Sequence, residues 1–501
     1  MNRHALLVTT ALLTGTLAVA LAAAGPVSGQ EGPGTASQAA PPPDDPPNIV
    51  FVVTDDMARA EMPYMPHVQQ LIGNHGTTFS HATSPFPLCC PARATMLTGQ
   101  YAHNHGVLGN ASDEFPEGGY GGFDTDDNTI ATWMDDAGYQ TGFVGKYLNG
   151  YGNQEPARVP PGWDDWQGTL VGSYRYVRAY ENGTQNNYGK TYRTTWTTAA
   201  AVDMISERIP DGDPLMLFTW YSAPHNGLPV EPDDPRRVYG RPVGTPVPAH
   251  ADRNDFDGVQ APRDPNFGEE DVSDKPQAIQ NLDPFDEIDP LTLDELYQQR
   301  IETLQSVDRG VAKMVSALRR SGELDNTVFV FTSDNGYMIG DHRVRQGKIL
   351  PYESAIRVPL LIRGPGFPAG VTRDQLVGTQ DFAPTFAELG GADPQRVVDG
   401  ASLQRIAQSD RSYGGRDMVL EVGPKTIGGP MTLTGLRTKR YTYVEYATGE
   451  RELYDLRHDP YQLENLIGTP ELDPVIEAKL RTQLAAMRDC EGDACLVGTR
   501  H

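Results

Sequence analysis

Four short apolar runs in the sequence have the pattern of strands that are buried on both faces. They are 47–56 (PNIVFVVTDD), 139–152 (YQTGFVGKYLNGYG), 215–226 (LMLFTWYSAPHN) and 326–336 (NTVFVFTSDNG). Continuous stretches of β-branched and aromatic residues are typical of parallel sheets that are covered on both sides. Each run ends in polar residues, and parallel sheets bind ligands beyond the carboxyl ends of their strands. The pattern therefore predicts a parallel sheet with a functional site at one edge.

A long helical pattern precedes the last of these runs. From about Leu293 to Arg320, apolar residues recur at helical spacing, and Ser321 and Gly322 are expected to end the helix. The members of the apolar face are Tyr297, Ile301, Leu304, Val307, Val311, Met314 and Leu318. Strands that alternate with helices predict an α/β fold: a doubly wound, mostly parallel sheet sandwiched by helices, with right-handed crossovers.

The composition and the apolar pattern of the sequence change in two places. Segment 229–290 is rich in Pro, Asp and Arg, so we expect a long irregular insert, which either walls the pocket or lies on the surface. Beyond residue 391, the stretch 441–466 alternates and turns like antiparallel strands, and 474–488 predicts a closing helix. We therefore expect a large α/β domain at 47–391 and a smaller C-terminal α+β subdomain with an antiparallel sheet at 392–501.

The N-terminal residues predict export. Arg3 and His4 precede an apolar run, and small residues follow it, which predicts a signal peptide over 1–30. An uncleaved membrane anchor is the alternative. Residues 31–46 predict a flexible Pro/Gly linker. Since no second run of membrane-spanning length follows, we expect a secreted, extracytoplasmic protein without a stable membrane anchor.

Charge and cysteine content narrow the function. The net charge of −25, with no basic stripe to offset it, argues against nucleic acid as a partner. An anionic substrate would therefore need a local cluster of cations. Cys490 and Cys495 suit a small disulfide-closed loop in an oxidising compartment. That assignment leaves the adjacent Cys89 and Cys90 unexplained.

Oxygen ligands end two of the predicted strands. Asp55 and Asp56 follow the first run, and Asp334 and Asn335 follow the last. Each pair alone fits a strand-end cap, but both pairs at one sheet edge suggest a shared cation. Donors that are all oxygen suit Ca²⁺ better than Zn²⁺, and a shell built mostly from protein suits Ca²⁺ better than Mg²⁺.

The adjacent cysteines lie in a recognisable motif. Cys89, Pro91 and Arg93 have the spacing Cys-x-Pro-x-Arg and are followed by LTG at 97–99. The sequence here resembles the type I sulfatases, in which this cysteine is oxidised by a maturation enzyme to Cα-formylglycine. The spacing selects Cys89 over Cys90, because only Cys89 has proline two residues on and arginine four residues on.

The resemblance extends over nearly the whole mature chain. LCCPARATMLTGQYAHNHGV is similar to the N-acetylglucosamine-6-sulfatase and extracellular heparan endosulfatase branch. Further motifs follow in the family's order: TDD, GYQTGFVGKYLNGYG, APHN, APRDPNF, TSDNGY, GKILPYESAIRVPLLIRGPG and LYDLRHDPYQLENL. The resemblance implies an alkaline-phosphatase-like fold and hydrolysis of sulfate monoesters, either of a sugar such as N-acetylglucosamine 6-sulfate or of an aryl alcohol.

The resemblance also implies a role for each site residue. The calcium ligands would be Asp55, Asp56, Asp334, Asn335 and the modified residue 89. Hydrated formylglycine is a geminal diol: one hydroxyl would attack sulfur beside the cation, and the other would let the aldehyde reform and release sulfate. The remaining roles are as follows: Arg93 holds the diol, Lys146 and Lys348 bind the sulfate oxygens, and His225 protonates the leaving oxygen.

One position departs from the pattern of many arylsulfatases. They carry a histidine two residues after the lysine that corresponds to Lys146, whereas this chain has Leu148. The glucosamine-6-sulfatase branch also reads GKYLN, which indicates a subfamily difference. His342 is a weak candidate to replace that histidine, and we expect His103 and His105 to be structural or to line the pocket.

Two alternative functions stay open. A phosphonate or phosphate ester hydrolase of the same superfamily could share the formylglycine, although its zinc phosphatases use histidine ligands that are missing here. A secreted glycan-binding relative without turnover would be expected to have a broken cysteine or metal set, and neither is broken. The sequence does not separate action at a chain end from action inside a glycan.

Overall fold

The computed structural model of the protein describes residues 46–110, 118–153, 157–170, 173–209, 212–227, 244–409, 415–424 and 431–498. The predicted signal peptide and almost all of the predicted linker lie outside these residues, and so does the first part of the predicted insert. No helix among the described residues is both long and apolar enough to cross a membrane.

A ten-stranded sheet forms the centre of the molecule. Its strands are β1 (Asn48–Thr54), β2 (Gly76–Thr83), β3 (Gln140–Gly145), β4 (Asp165–Thr169), β5 (Arg178–Glu181), β6 (Thr184–Asn187), β7 (Leu215–Trp220), β8 (Thr327–Ser333), β9 (Leu360–Arg363) and β10 (Val371–Gly378). Their order is β10-β2-β9-β8-β1-β7-β3-β4-β5-β6. The four predicted runs are β8, β1, β7 and β3, which are parallel neighbours. Strands β5, β6 and β9 pair antiparallel, so the sheet is mostly parallel, as predicted.

Helices cover both faces of this sheet. They are α1 (Pro66–Leu71), α2 (Cys89–Thr98), α3 (Ala102–His105), α4 (Ile130–Asp136), α5 (Arg193–Arg208), α6 (Gln277–Gln280), α7 (Asp289–Ser321), α8 (Glu353–Ile356), α9 (Phe382–Gly390), α10 (Leu403–Gln408) and α11 (Pro474–Met487). Successive residues of β1 point to opposite faces. Phe51 packs on Phe382 and Phe386 of α9, whereas Val50 and Val52 belong to the core that α5 and α7 cover.

The long helix matches its prediction closely. Helix α7 begins four residues before Leu293 and ends at Ser321, with Gly322 at a φ of 84° as the residue that closes it. A positive φ of this kind is favourable for glycine and costly for other residues, which is why glycine commonly ends helices. The predicted apolar face of α7 is buried.

A second sheet lies in the C-terminal region. Strands β11 (Met418–Val422), β12 (Leu433–Arg437), β13 (Tyr441–Tyr446) and β14 (Arg451–Asp455) pair antiparallel in chain order. Helix α11 packs on it through Leu480 and Leu484. This confirms the predicted fold class and the closing helix. The boundary at residue 391 stays a prediction, and α10, which follows it, packs on α9 and β10.

Two further predictions concern the C-terminal cysteines and the insert. Cys490 and Cys495 form a disulfide, as the sequence predicts. The described part of the insert is irregular apart from the four-residue helix α6 and the first residues of α7, which begins at Asp289.

Candidate active site

Four neighbouring parallel strands bring six of the predicted site residues to one edge of the large sheet. They are Asp55 and Asp56 after β1, Asp334 and Asn335 after β8, His225 after β7, and Lys146 after β3. Helix α2 supplies Cys89 and Arg93, and the loop before α8 supplies Lys348. The structure therefore brings all nine predicted residues together beyond the carboxyl ends of the parallel strands, where ligands bind in such sheets.

The carboxylates form a compact, fully buried group. Oxygens of Asp55, Asp56 and Asp334 lie within 4.8 Å of one another, in an arrangement that could hold a metal ion. The backbone N–H groups of Asp56 and Asn335 both donate to Oδ1 of Asp334, at 3.0 and 2.8 Å. These bonds tie the ends of β1 and β8 to each other.

Asn335 adds an oxygen that has no partner within the described protein. Its Nδ2 donates to Oδ1 of Asp56 and to the carbonyl of Gly336, both at 2.8 Å. Its Oδ1 is buried and accepts no hydrogen bond. Buried polar atoms are almost always satisfied, so an orphaned one needs an explanation. An unpaired amide oxygen beside three carboxylates fits a hard cation such as Ca²⁺.

Asp56 is held in an unfavourable backbone conformation by a buried ion pair. Its φ is 69°, a value that costs about 1–3 kcal/mol for a residue other than glycine. Arg300, fully buried on α7, donates to the carbonyl oxygens of Asp56 and Pro224 and pairs with Glu61 at 2.5 Å. The guanidinium thereby links the ends of β1 and β7. Nothing in the sequence predicts this Glu61–Arg300 pair.

Cys89 and Cys90 have different surroundings. The Sγ of Cys89 is 2.9 Å from Nζ of Lys348 and 3.5 Å from Oδ1 of Asp55. The Sγ of Cys90 instead accepts a hydrogen bond from the backbone N–H of Asn149 at 2.8 Å. Burial raises the pKa of Cys90 to about 12. Both thiols are fully buried, but only Cys89 is directed at the carboxylates.

Arg93 lies beneath the cluster and connects its parts. Its Nε donates to Oδ2 of Asp334 at 2.9 Å, and its Nη2 lies 3.3 Å from Oδ2 of Asp55. A further bond reaches the carbonyl oxygen of Lys146, and the guanidinium stacks over the ring of Trp220. Arg93 is fully buried, so its charge is balanced by the two carboxylates.

Two lysines form ion pairs with the carboxylates. Lys146 pairs with Asp55, and Lys348 pairs with Asp56. Burial lowers the pKa of Lys146, but the charges of Asp55, Cys89 and Asp334 together outweigh burial and raise it. Gly145 precedes the lysine because a Cβ there would lie 1.9 Å from the carbonyl oxygen of Trp220. The close approach of β3 and β7 therefore requires glycine at that position.

His225 presents one ring nitrogen to the cluster. Its Nδ1 lies 2.8 Å from the carbonyl oxygen of Asn226, which requires a proton on Nδ1. Its Nε2 lies 3.7 Å from Oδ2 of Asp56. Burial lowers the pKa of His225, but the charges of Asp55 and Asp56 outweigh it and raise the pKa to about 9. These charges favour the protonated ring, which can donate a proton from Nε2.

A cavity of about 360 Å³ opens on the cluster. We call it the site cavity. It is lined by Asp55, Lys146, Tyr147, Leu148, Asn149, Gly150, Tyr151, Asn153, Thr169, Leu170, Ser173, Tyr174, Arg193, Ser222, His225, Asn226 and Gly227. The sequence motifs contain Asn149 and Asn226, but sequence reasoning assigned neither a role. Arg193 was missed altogether, because it lies in no motif.

The remaining histidines lie apart from the cluster. Leu148, at the position where many arylsulfatases have histidine, is buried in the apolar core. His342 does not replace it, because its Nδ1 pairs with Oε2 of Glu269 at 2.5 Å and its ring packs on Tyr352. His103 and His105 have structural contacts, described next.

His103 and His105 connect α3 to its neighbours. The ring of His103 bonds to Glu421 and to the carbonyl oxygen of Cys490, both at 2.8 Å. The ring of His105 bonds to Oγ1 of Thr95 at 3.0 Å. Neither histidine lines the site cavity, which agrees with the structural half of the expectation.

The described part of the insert touches the wall of the site cavity but does not line it: the carbonyl oxygen of Thr245 accepts a hydrogen bond from the backbone N–H of the lining residue Gly227. Pro262, Asp264, Asn266 and Phe267 line a different cavity, also of about 360 Å³, beside Ala58. None of residues 244–290 lines the site cavity. The expectation that the insert walls the pocket is therefore wrong for this part of it, and residues 229–243 lie outside the described residues.

Comparison with protein families agrees with the motifs. The profile of the family described as Sulfatase matches residues 47–392, and that of "N-sulphoglucosamine sulphohydrolase, C-terminal" matches 340–490. An extracellular sulfatase SULF-1 homolog of Drosophila melanogaster is 33% identical over 71% of this chain and 31% of its own length. N-acetylglucosamine-6-sulfatase of Homo sapiens is 29% identical over 90% and 86%, respectively. This chain thus spans about a third of the Drosophila protein.

Solved structures share the fold. One, of a protein in complex with its substrate D-glucosamine-2-N,6-O-disulfate, has a TM-score of 0.68 and 23% identity and covers 89% of this chain and 98% of that chain. A phosphonate monoester hydrolase from Silicibacter pomeroyi has a TM-score of 0.60 and 21% identity and covers 89% and 96%. The family profile covers more than half of the sequence, so the chain belongs to the sulfatase family that its motifs predict.

Proposed function

We propose that the protein is a secreted sulfatase that hydrolyses the sulfate monoester of a sugar. The observation that carries this proposal is the arrangement around Cys89. Three buried carboxylates, an unpaired amide oxygen and four cationic side chains surround one buried thiol, and Asp55, Lys146 and His225 of this group line the site cavity. A negatively charged group that enters this cavity meets Lys146 and His225.

The donor set fits a calcium ion. Asp55, Asp56, Asp334 and Asn335 would hold it, with residue 89 beside them, and the ion would supply positive charge that stabilises an attacking oxygen and the sulfate oxygens. The orphaned Oδ1 of Asn335 supports this assignment. Mg²⁺ fits less well, because it binds fewer protein ligands and keeps several waters.

Residue 89 would act as the nucleophile after oxidation to formylglycine. Its hydrate has two hydroxyls on one carbon, and the neighbours of Cys89 suit them: Lys348 can donate to one oxygen, and Asp55 can accept from the other. Arg93 would act mainly as a positioning residue, since its guanidinium is already bonded to Asp334 and to the carbonyl oxygen of Lys146. That differs from the direct contact with the diol that the resemblance implies.

The cations would bind and activate the ester. Lys146 and Lys348 are fixed by their carboxylate partners, so they need no reorganisation to hold the sulfate oxygens. His225 would donate the proton on Nε2 to the leaving oxygen, because its Nδ1 proton is engaged by the carbonyl of Asn226. This role does not need the histidine that Leu148 replaces.

The setting supports export. The Cys490–Cys495 disulfide is typical of an oxidising compartment, and the relatives include extracellular sulfatase homologs. A formylglycine-generating enzyme would be the maturation partner.

Activity assays test the proposal against its main alternative. The sulfate, phosphate and methylphosphonate monoesters of 4-nitrophenol should be compared with purified, matured protein, together with glucosamine 6-sulfate. We expect kcat/KM to be highest for a sulfate ester. A higher value for the phosphonate ester would support a phosphonate hydrolase instead, and no turnover of any ester would support a glycan-binding protein.

A further inference from the structure

One buried arginine at the wall of the site cavity has no carboxylate partner among the described residues. Arg193, the first residue of α5, is 9% exposed. Its Nη1 lies 3.2 Å from Oγ of Ser222, its Nη2 lies 3.3 Å from the carbonyl oxygen of Leu170, and its Nε has no hydrogen-bond partner. The guanidinium is therefore held in place by neutral oxygens only.

The other buried arginines of the described protein are paired. Each makes an ion pair with at least one carboxylate: Arg93 with Asp55 and Asp334, Arg300 with Glu61, Arg416 with Asp381, and Arg437 with Glu353. A buried cation without a counter-ion is unfavourable, and burial lowers the pKa of Arg193 accordingly. Arg193 is thus the exception among five, and an anionic ligand would remove the imbalance.

Two further polar atoms on the same cavity are also unsatisfied. Oδ1 of Asn149 and Oδ1 of Asn226 are buried and accept no hydrogen bond within the described protein. An amide oxygen is an acceptor, so each can accept a hydrogen bond from a hydroxyl or amine group of a ligand. The cavity wall thus offers two acceptors and one cation, which together match the hydroxyls and the charge of an acidic sugar.

Arg193 is separate from the cations that face Cys89. Lys146, Lys348 and His225 each lie within 4.0 Å of a carboxylate oxygen of Asp55 or Asp56, and Arg193 does not. Its contact is with Ser222, three residues before His225 in the chain. An anion on Arg193 would therefore be an additional group of the ligand, bound beside the sulfate ester that is cleaved.

We propose that Arg193 forms a second anion subsite in the site cavity, which binds a carboxylate or second sulfate of the same sugar substrate. The Oδ1 atoms of Asn149 and Asn226 accept hydrogen bonds from its hydroxyl or amine groups. The inference rests on the proposed sulfatase function and deepens it, because it defines the substrate class as sugars with an anionic group besides the sulfate ester.

The test compares sugars with one and two anionic groups. The ratio of kcat/KM for glucosamine 2-N,6-O-disulfate to kcat/KM for glucosamine 6-sulfate is measured for the wild type, Arg193→Gln and Arg193→Lys. A second ratio, which tests a carboxylate, compares a 6-sulfated glucosamine linked to a uronic acid with glucosamine 6-sulfate. We expect Arg193→Gln to reduce one of these two kcat/KM ratios by about ten- to hundredfold, which is the usual effect of losing a hydrogen bond to a charged group. Arg193→Lys should keep part of the preference.

Arg208→Gln is the matched control. Arg208 lies at the other end of α5, pairs with Asp165 and does not line the site cavity. The variant removes one positive charge from the same helix, and we expect it to leave the ratio unchanged. If Arg193→Gln lowers kcat/KM equally for the sugars with one and two anionic groups, or not at all, the ratio is unchanged and the subsite is overturned.

Affinity measurements test the anion subsite independently of the proposed sulfatase activity. Calorimetry with Cys89→Ser and with Cys89→Ser/Arg193→Gln measures the affinity for the same sugars without turnover. Tighter binding of the sugar with two anionic groups, lost in the double variant, supports the subsite even if the wild type hydrolyses no sulfate ester. Equal affinity of Cys89→Ser for both kinds of sugar contradicts the subsite even if the wild type is an active sulfatase.

Discussion

Two regions of the site differ in how the hydrogen-bonding groups of their side chains are satisfied. The floor consists of Asp55, Asp56, Cys89, Asp334 and Asn335. The wall consists of Asn149, Arg193 and Asn226. On the floor, each carboxylate is paired with a lysine or arginine. The wall leaves three buried polar atoms without a partner among the described residues. The floor is thus preorganised by the protein itself, whereas the wall needs a ligand to complete its hydrogen bonds.

One atom of the floor behaves like the wall. The Oδ1 of Asn335 has no hydrogen-bond partner among the described residues, although the backbone N–H and the Nδ2 of the same residue are both engaged. Unpaired buried atoms are thus informative where they lie beside other site residues: the Oδ1 of Asn335 supports the proposed cation on the floor, and the three atoms of the wall support the proposed anion subsite.

The largest expected effect comes from the nucleophile on the floor. Cys89→Ser should lower kcat on a sulfate ester by at least about a thousandfold, because serine provides one hydroxyl where the hydrate provides two. Turnover of 4-nitrophenyl sulfate is the measurement. Cys90→Ser is the matched control and should have a small effect, since its Sγ bonds to the backbone of Asn149. Equal losses in the two variants would show that the assignment of Cys89 is wrong.

The next effect concerns the proton donor between floor and wall. His225→Gln should reduce kcat by roughly 10²–10⁴-fold on esters of poor leaving groups such as sugars. The loss should be much smaller for 4-nitrophenyl sulfate, because 4-nitrophenolate leaves without needing a proton. Identical losses on the two kinds of ester would argue that His225 binds sulfate but does not protonate the leaving oxygen.

A smaller effect is expected at the cation ligand. Asn335→Ala should weaken Ca²⁺ binding by about 10–100-fold, because it removes one neutral oxygen ligand and leaves three carboxylates. Calorimetric titration of chelator-treated protein measures the affinity, and thermal unfolding with added Ca²⁺ provides a second readout. Unaltered Ca²⁺ affinity would show that the orphaned oxygen is not a ligand.

The smallest effect lies outside both regions and acts on stability. Burial lowers the pKa of His103, but bonds to Glu421 and Cys490 outweigh it and raise the pKa to about 9. Because the folded-state pKa is raised, this stabilisation is fully present below the unfolded value of about 6.5 and is lost as pH rises through about 9.

His103→Gln tests that window. The free energy of unfolding of the variant should lie about 1–3 kcal/mol below that of the wild type at pH 6, and the difference should shrink by pH 10. Denaturant unfolding at both pH values measures it. A constant difference would show that the charge of His103 contributes nothing.

Much of the floor could be predicted from the sequence because local pattern and motif agree there. The runs that form β1 and β8 are apolar throughout, and Asp55, Asp56 and Asp334 follow them directly. Parallel neighbouring strands then bring these residues together. Strands β11 and β12 were not predicted, since short strands give weak local patterns.

The wall and its supports could not be predicted in the same way. Glu61 and Arg300 are 239 residues apart in the chain, and only the packing of α7 on the sheet brings them together. Arg193 begins a helix outside every motif, and its unpaired state depends on which oxygens the fold places around it. Such properties arise from tertiary structure and leave no local pattern.

The most direct test of the central claim is the mass of tryptic peptide 60–93, which contains both adjacent cysteines, from protein purified from the cells that naturally make it. We expect residue 89 to have lost sulfur and two hydrogens and gained one oxygen as the aldehyde, or to carry one further water as its hydrate, while residue 90 keeps its thiol. Fragment ions between positions 89 and 90 assign the change. Fully active sulfatase with two unmodified cysteines in this peptide would contradict the account.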